Sequence, residues 1–286
     1  MRKISSILTL LLLCLCGNLS AQTTVIATMA DLANAATNQN KATVSADWTG
    51  ATVYEFSDGN YLGGISNDAV VNAIEGNKFV TVAMWVFGPT TSDQALFGYG
   101  DQNTGVKVSL NGNAQKITTK GVIDFDISTV NEDNIQENQW CFVAFSFKGK
   151  TADVSSGYTY RYYTSTKNGQ FLSKNNRNLS NMNAVDDASK LLAIGSGNQG
   201  EARDVYTGLI ANLTVITSDE LLNNSALADL VGSAPTPTIS GLRFLINNRI
   251  THITQNRGEG IGYYSPTEVD GPIDAAQTAV ENLSST

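Results

Sequence analysis

Two carboxylates stand two residues apart in the stretch GVIDFDIST, at Asp124 and Asp126. Alternate residues of a strand share a face, so this pair could flank a glycosidic bond as acid and base. A solvated acidic pair on a strand or turn is the plainer reading, and the one preferred. Cys141 is the second candidate for chemistry. A reactive thiol wants a histidine or an electropositive setting, but Cys141 sits between Trp140 and Phe142. The single histidine, His252, lies far along the chain. Any Ser–His–Asp triad would have to use it, and a zinc site of several His or Cys is excluded. There is no GxGxxG and no P-loop sequence, so nothing argues for a nucleotide.

Binding chemistry is better represented than catalysis. Tyr158, Tyr160 and Tyr162 alternate along one strand face and could stack a ligand ring, although cross-strand packing would use the same spacing. The loop GSGNQGEARD, residues 195–204, offers Asn198, Gln199, Glu201 and Arg203 as one wall of a binding edge, or serves as a plain hairpin tip. Asp101 and Asn103 in GDQNTG carry the same two readings. Matches to N-x-S/T occur at Asn178, Asn212, Asn223 and Asn282 and carry little weight.

These residues must be positioned by an exported chain. Arg2 and Lys3 precede an apolar run over residues 7–16, and small and polar residues end in Leu19-Ser20-Ala21. That pattern predicts a secretory signal over residues 1–21, with cleavage after Ala21. A lipidated Cys16 is the lesser alternative, because Leu15 is bulky where a small residue is wanted. No second long apolar run follows, so no transmembrane segment is expected and the mature chain is secreted, periplasmic or on the cell surface. Of three cysteines, Cys14 and Cys16 fall in the signal. The mature chain then has no internal disulfide and must rely on a large core. Removing Arg2 and Lys3 leaves 16 basic against 26 acidic residues, a balance of −10. That disfavours nucleic acid and anionic membranes as partners.

Short strands between Gly, Asn, Asp and Ser turns dominate the pattern. Residues 78–87, KFVTVAMWVF, are apolar on both faces, which predicts a strand covered on both sides. Residues 140–148 read the same way, with Trp140, Phe142 and Ala144 on one face and Cys141, Val143, Phe145 and Phe147 on the other. Further strands are expected at 95–99, 106–110, 158–164, 191–195 and 206–217. Short helices are expected at 29–37, from an N-cap at Ser218 toward Leu230, and at 273–283. GSAPTPT, Gly232 to Thr238, reads as a linker, drawn as residues 233–239 between the two parts of the chain. Residues 240–286 then form a short appendage with two strands, 242–246 and 250–254.

Five pieces in fixed order resemble laminin-G-like jelly rolls of the concanavalin A-like lectin and glucanase superfamily. They are Phe56-Ser57-Asp58-Gly59-Asn60-Tyr61-Leu62, the run from Phe79 to Val86, Leu96-Phe97-Gly98-Tyr99-Gly100-Asp101, Trp140-Cys141-Phe142-Val143-Ala144, and the run from Tyr206 to Ile216. Together they cover roughly residues 52–232. The resemblance implies an all-β fold of two stacked antiparallel sheets with minor helices, and no single function. Two departures bear on chemistry. The two histidines that follow the family's Trp are Cys141 and Phe142 here, and an aspartate associated with structural calcium is Ala211. Asp58 and Asn60 remain as calcium ligands, short of the six to eight oxygens calcium prefers. The glucanases of the superfamily carry Glu-x-Asp-x-x-Glu, but here the acidic pair is flanked by Val122 and Thr129 and both Glu are missing. The expectation is a non-catalytic binding module over residues 22–232, without cofactor, for a glycan or a surface protein partner. The alternatives are a glycoside hydrolase or lyase on the same fold, or a structural spacer of a cell-surface assembly.

Overall fold

The computed structural model describes residues 23–57, 59–76, 78–89, 94–101, 105–111, 114–119, 122–126, 138–148, 158–165, 171–179, 188–197, 204–220, 222, 224–258 and 264–283. Among these described residues there are sixteen strands and five helices, the strands given first in chain order. They are β1 (Thr23–Thr28), β2 (Thr43–Ser45), β3 (Trp48–Thr49), β4 (Val53–Phe56), β5 (Leu62–Ser66), β6 (Phe79–Phe87), β7 (Gln94–Tyr99) and β8 (Val106–Asn111). Then follow β9 (Ala114–Thr119), β10 (Val122–Asp126), β11 (Cys141–Lys148), β12 (Tyr158–Ser165), β13 (Phe171–Leu179), β14 (Leu191–Ile194), β15 (Gly208–Ser218) and β16 (Thr236–Pro237). Five helices are α1 (Met29–Ala35), α2 (Asp68–Glu75), α3 (Asn224–Val231), α4 (Ile239–Gln255) and α5 (Pro266–Asn282). None of the described helices is long and apolar enough to cross a membrane.

Fourteen of these strands form two antiparallel sheets stacked as a jelly-roll sandwich, and β3 and β16 pair separately. One has the order β13-β12-β11-β6-β15-β4-β2 with β1 also on β15, and the other β10-β9-β8-β7-β14-β5. Alternation decides which side chains meet between them. Val80, Val82, Met84 and Val86 of β6 and Cys141, Val143, Phe145 and Phe147 of β11 point inward. They pack on Phe97 and Tyr99 of β7, Val106, Val108 and Leu110 of β8, and Leu192 and Ile194 of β14. Helices α1 and α2 close the same core with Leu32, Val70 and Ile74.

The first sheet has a second buried face. Ala83, Trp85, Phe87, Phe142, Ala144, Leu209 and Ala211 point outward, into a cluster with Trp48, Leu222 and Leu227. The doubly apolar pattern of β6 and β11 thus reports two covers, one a sheet and the other α3 with the segment after it. Trp85 Nε1 donates to Gly232 O at 3.2 Å across this outer face. In β15 the alternation is reset at Asn212, where φ is 52° and the ladder to β6 shifts register. Ala211 faces outward and Leu213 inward on either side of this bulge. Asn212 Nδ2 donates to Ser233 O at 3.2 Å, tying the bulge to the outer segment.

Two expectations fail at the C-terminal end. Residues 242–246 and 250–254 are not strands but parts of one helix, α4. Leu-Arg-Phe-Leu-Ile and Ile-Thr-His-Ile-Thr look β-like one at a time, but Thr238 starts a helix by accepting from Gly241 N at 3.1 Å. The intervening Asn247-Asn248-Arg249 continues it instead of turning. Ser218 is not a helix N-cap. It ends β15, paired with Thr23 of β1 and Phe79 of β6, so its backbone is held extended. Its hydroxyl donates to Glu220 O at 2.6 Å, and the helix begins at Asn224.

Cys141 is 3% exposed within the inner core. In a chain of residues 22–286, a thiol reagent is therefore expected to leave Cys141 unmodified in the native protein and to label one equivalent after denaturation. Rapid stoichiometric labelling of the folded chain would refute this burial.

Candidate functional site

The site grows from the way β6 ends and β11 begins. Asn138 N donates to Gly88 O at 3.0 Å, which ties the two strand ends together. Asn138 takes the left-handed conformation, with φ of 54°, one that asparagine tolerates better than most side chains. The Phe87 carbonyl at the end of β6 accepts from the buried Tyr206 hydroxyl at 3.1 Å. Burial pushes that hydroxyl well above the ordinary phenol range, so it stays a proton donor. Phe87 is thus fixed on the outer face, beneath Asn138 and Gln139.

Three rings form the platform. Trp48 lies 5.5 Å from Phe87 and 5.0 Å from Trp140, nearly perpendicular to the latter at 84°. Phe87 and Trp140 are 5.5 Å apart. Edge-to-face contacts at these separations are favourable and hold the rings in place. The Trp140 indole Nε1 is buried and has no hydrogen-bond partner among the described residues.

Helix α4 supplies the opposite wall. Strand β16 pairs Thr236 and Pro237 with Thr49 and Trp48. Thr238 then donates from both N and Oγ1 to Asp47 O, at 2.8 and 2.9 Å. This anchors the helix start beside Trp48. From there Leu245, Asn248, Arg249 and His252 follow at i, i+3, i+4 and i+7, one helix face. Leu245 packs against the outer cluster. The His252 ring meets Tyr264 at 6.3 Å in a T-shaped contact. Tyr264 is itself held, donating from N to Asn256 O at 2.8 Å. Between this face and Phe87, Asn138 and Gln139 lies a groove of about 490 Å³, the size of an ordinary small-molecule site.

The groove offers an aromatic floor, three side-chain amides, a guanidinium and an imidazole. No Asp, Glu, Cys or Ser is among the described residues that line it. Such a set can stack a ring and hydrogen-bond hydroxyls, and the described lining contributes no carboxylate, hydroxyl or thiol. Among the described residues no three His, Cys, Asp or Glu come together to hold a metal.

None of the binding or metal candidates read from the sequence is among the described residues that line the groove. Tyr158, Tyr160 and Tyr162 are on β12, where the register sets Tyr160 opposite Phe147 and Tyr162 opposite Phe145. Those are the inward positions of β11. The side chains of these tyrosines lie outside the described residues. Asp101 closes the β7–β8 turn, its carbonyl accepting from Gly105 N at 2.8 Å. Asn60 Oδ1 accepts from Ser57 N at 2.9 Å. Asp58, Asn103, Asn198, Gln199 and Arg203 lie outside the described residues. Asp124 and Asp126 are on β10, whose ladder shifts register between Ile123 and Phe125. A bulge there interrupts the alternation on which a shared carboxylate face depends.

Asn138, Gln139, Asn248 and Arg249 were not singled out by sequence, and His252 was weighed only for catalysis and zinc, not for binding a ligand. Two signals were present: the amides directly before Trp140, and the helical spacing from Leu245 to His252.

No known protein family matches the chain, and no curated protein does. In outline it is similar to several solved structures. One is the Ruminococcus gnavus IT-sialidase CBM40 bound to alpha2,3 sialyllactose, with 11% identity over 73% of this chain and 100% of that chain, TM-score 0.40. Another is domain 4 of AbnA, a GH43 extracellular arabinanase from Geobacillus stearothermophilus, in complex with arabinotriose, with 17% identity over 74% and 88% of the two chains, TM-score 0.43. A third is the binding domain of botulinum neurotoxin DC in complex with rat synaptotagmin II, with 11% identity over 74% of this chain, TM-score 0.41. The match takes in 46% of the neurotoxin domain's chain. At these identities the likeness is one of outline.

Proposed function

We propose that the protein is an exported, non-catalytic binding module of laminin-G-like type, and that it takes a glycan in the groove between β6, β11 and α4. The observation that carries this reading is the joining of an aromatic floor at Phe87 to the amides of Asn138, Gln139 and Asn248 around one cavity. Sugars present apolar C–H faces and a periphery of hydroxyls, and this lining answers both. The C-terminal residues then have a role, since α4 is one wall of the site. Tyr158, Tyr160 and Tyr162, Asp101 with Asn103, and Asn198, Gln199 and Arg203 remain proposals for a second contact edge. Calcium at Asp58 and Asn60 remains a minor one, because Asn60 Oδ1 already accepts a backbone bond. A surface protein as partner is favoured by one observation, the exposure of Ile239, Leu242 and Phe244 on α4.

The test uses residues 22–286 and a panel of neutral and acidic oligosaccharides. A bound sugar is expected to change tryptophan emission, because Trp48 and Trp140 lie against Phe87. Asn248→Ala, on an exposed helix position, is expected to weaken binding by roughly five- to ten-fold, the worth of about one hydrogen bond. A panel without a single binder would sink the glycan reading. Binding indifferent to Asn248→Ala would move the site away from the groove.

A further inference from the structure

We infer that the groove recognises its glycan through a carboxylate, with Arg249 and His252 as the pair that reads the charge. The inference rests on the reading of the groove as a glycan site and adds the class of sugar. The protein is acidic, with 26 Asp and Glu against 18 Lys and Arg, yet the charged or basic groups lining this cavity are Arg249 and His252 alone among the described residues. Four cations elsewhere in the described fold are paired with carboxylates, while Lys41 and Arg243 make no ion pair among the described residues. Lys107 meets Asp204 at 2.5 Å, Lys190 meets Glu75 at 2.5 Å, Lys78 meets Asp219 at 3.3 Å, and Arg257, just past α4, meets Asp270 at 2.6 Å. Arg249 is exposed and makes no ion pair among the described residues.

Geometry and chemistry agree with this charge. Arg249 and His252 are three residues apart on one helix face, so their side chains reach the same end of the groove. Tyr264 holds the His252 ring edge-on. The planar fork of a guanidinium matches a carboxylate in two parallel bonds, a pairing a neutral hydroxyl does not reproduce. Asn138, Gln139 and Asn248 remain to take the ring hydroxyls, with Phe87 beneath. The ligand this describes is a sugar ring that bears an acid group, a uronate or a similar acidic terminal residue. The negative field of the whole molecule opposes anions at a distance, so recognition depends on this local pair and selects acids that also present a ring.

The experiment titrates residues 22–286 with a galacturonate trisaccharide, a glucuronate-terminated trisaccharide and the carboxyl-reduced counterpart of each. The uronates are expected to bind more tightly than the reduced sugars by on the order of ten- to a hundred-fold, the range for hydrogen bonds to charged groups. That margin is expected to shrink as salt is raised. Arg249→Gln is expected to abolish the margin without shifting thermal unfolding, and Arg249→Lys to keep part of it. Equal affinity for a uronate and its reduced form, or a margin untouched by Arg249→Gln, would overturn the carboxylate assignment and leave the glycan groove standing. Tighter binding of a sulfated sugar or of an oligoglutamate peptide would overturn it also. Absence of binding by every sugar would remove this inference together with the reading beneath it.

Discussion

Gly195→Ala is expected to lower the unfolding temperature more than any surface change in the chain. Gly195 follows β14 with φ of +73°, where an L side chain costs roughly 1–2 kcal/mol. A Cβ there would stand 2.3 Å from Phe56 Cδ1 and 2.5 Å from Cε1. Phe56 is wholly buried and packs on Tyr206 at 6.1 Å, so it has nowhere to retreat. The backbone cannot slide either. Gly195 N donates to Leu96 O, and its carbonyl accepts from Tyr206 N, both at 3.0 Å. Overpacking of a tight core adds about 1–3 kcal/mol. The total, about 2–5 kcal/mol, is a large part of a typical stability of about 5–15 kcal/mol. For a chain of this size that corresponds to a fall of roughly 5–15 °C. Circular dichroism on the wild type, Gly195→Ala, Phe56→Leu and the double variant decides the matter. The double variant should lose less than the two singles combined, because the clash is removed. An unshifted midpoint in Gly195→Ala would mean that the contact with Phe56 is misplaced.

Gly241→Ala should act on the groove instead of the sandwich. On helix propensity alone, the change in α4 would stabilise by about 1 kcal/mol. Here the added Cβ would lie 2.1 Å from Asp47 O, a backbone atom, and 3.2 Å from Pro237 Cβ. Asp47 O is also the acceptor that anchors Thr238. The helix start must therefore lift away from the segment before Trp48, carrying Asn248, Arg249 and His252 with it. Glycan affinity is expected to fall by on the order of ten-fold or more, since bound groups tolerate little displacement. The inner core between the sheets is expected to keep its stability. Gly271→Ala in α5 is the control, because a Cβ there meets nothing within 4 Å and ordinary propensity should operate. Wild-type affinity in Gly241→Ala would show that the seating of α4 on Asp47 does not define the groove.

What could be read from the sequence was what lies within one strand. The two faces of β6 and β11 were legible because alternation is local and both runs are apolar throughout. The split between Cys141, Val143 and Phe145 on one side and Phe142 and Ala144 on the other stands in the structure. What covers the outer face was not legible. Trp85 and Phe142 announce a partner without naming it, and the partner comes from α3 and residues far along the chain. Helix α4 was misread because its β-branched runs are short and its N-cap, Thr238, which accepts from Gly241 N, is itself anchored on Asp47, 191 residues away. The groove needs both of these facts. Arg249 and His252 cannot be joined to Asn138 until the helix and its anchor are known.

The position of β15 has a consequence for the order in which the chain can assemble. Three strands take their partner from it: β1, β4 and β6. The first of these, Thr23–Thr28, must wait for Thr214–Ser218 before it can pair. A ribosome or secretion channel releasing the chain from its N-terminus therefore delivers β4 and β6 long before the strand that lies between them. Until residue 218 emerges, their facing edges stay open and β1 has nothing to hold. Contacts at such separation make folding slow and late. The same delay leaves exposed edges that a holding chaperone must shield from neighbouring copies.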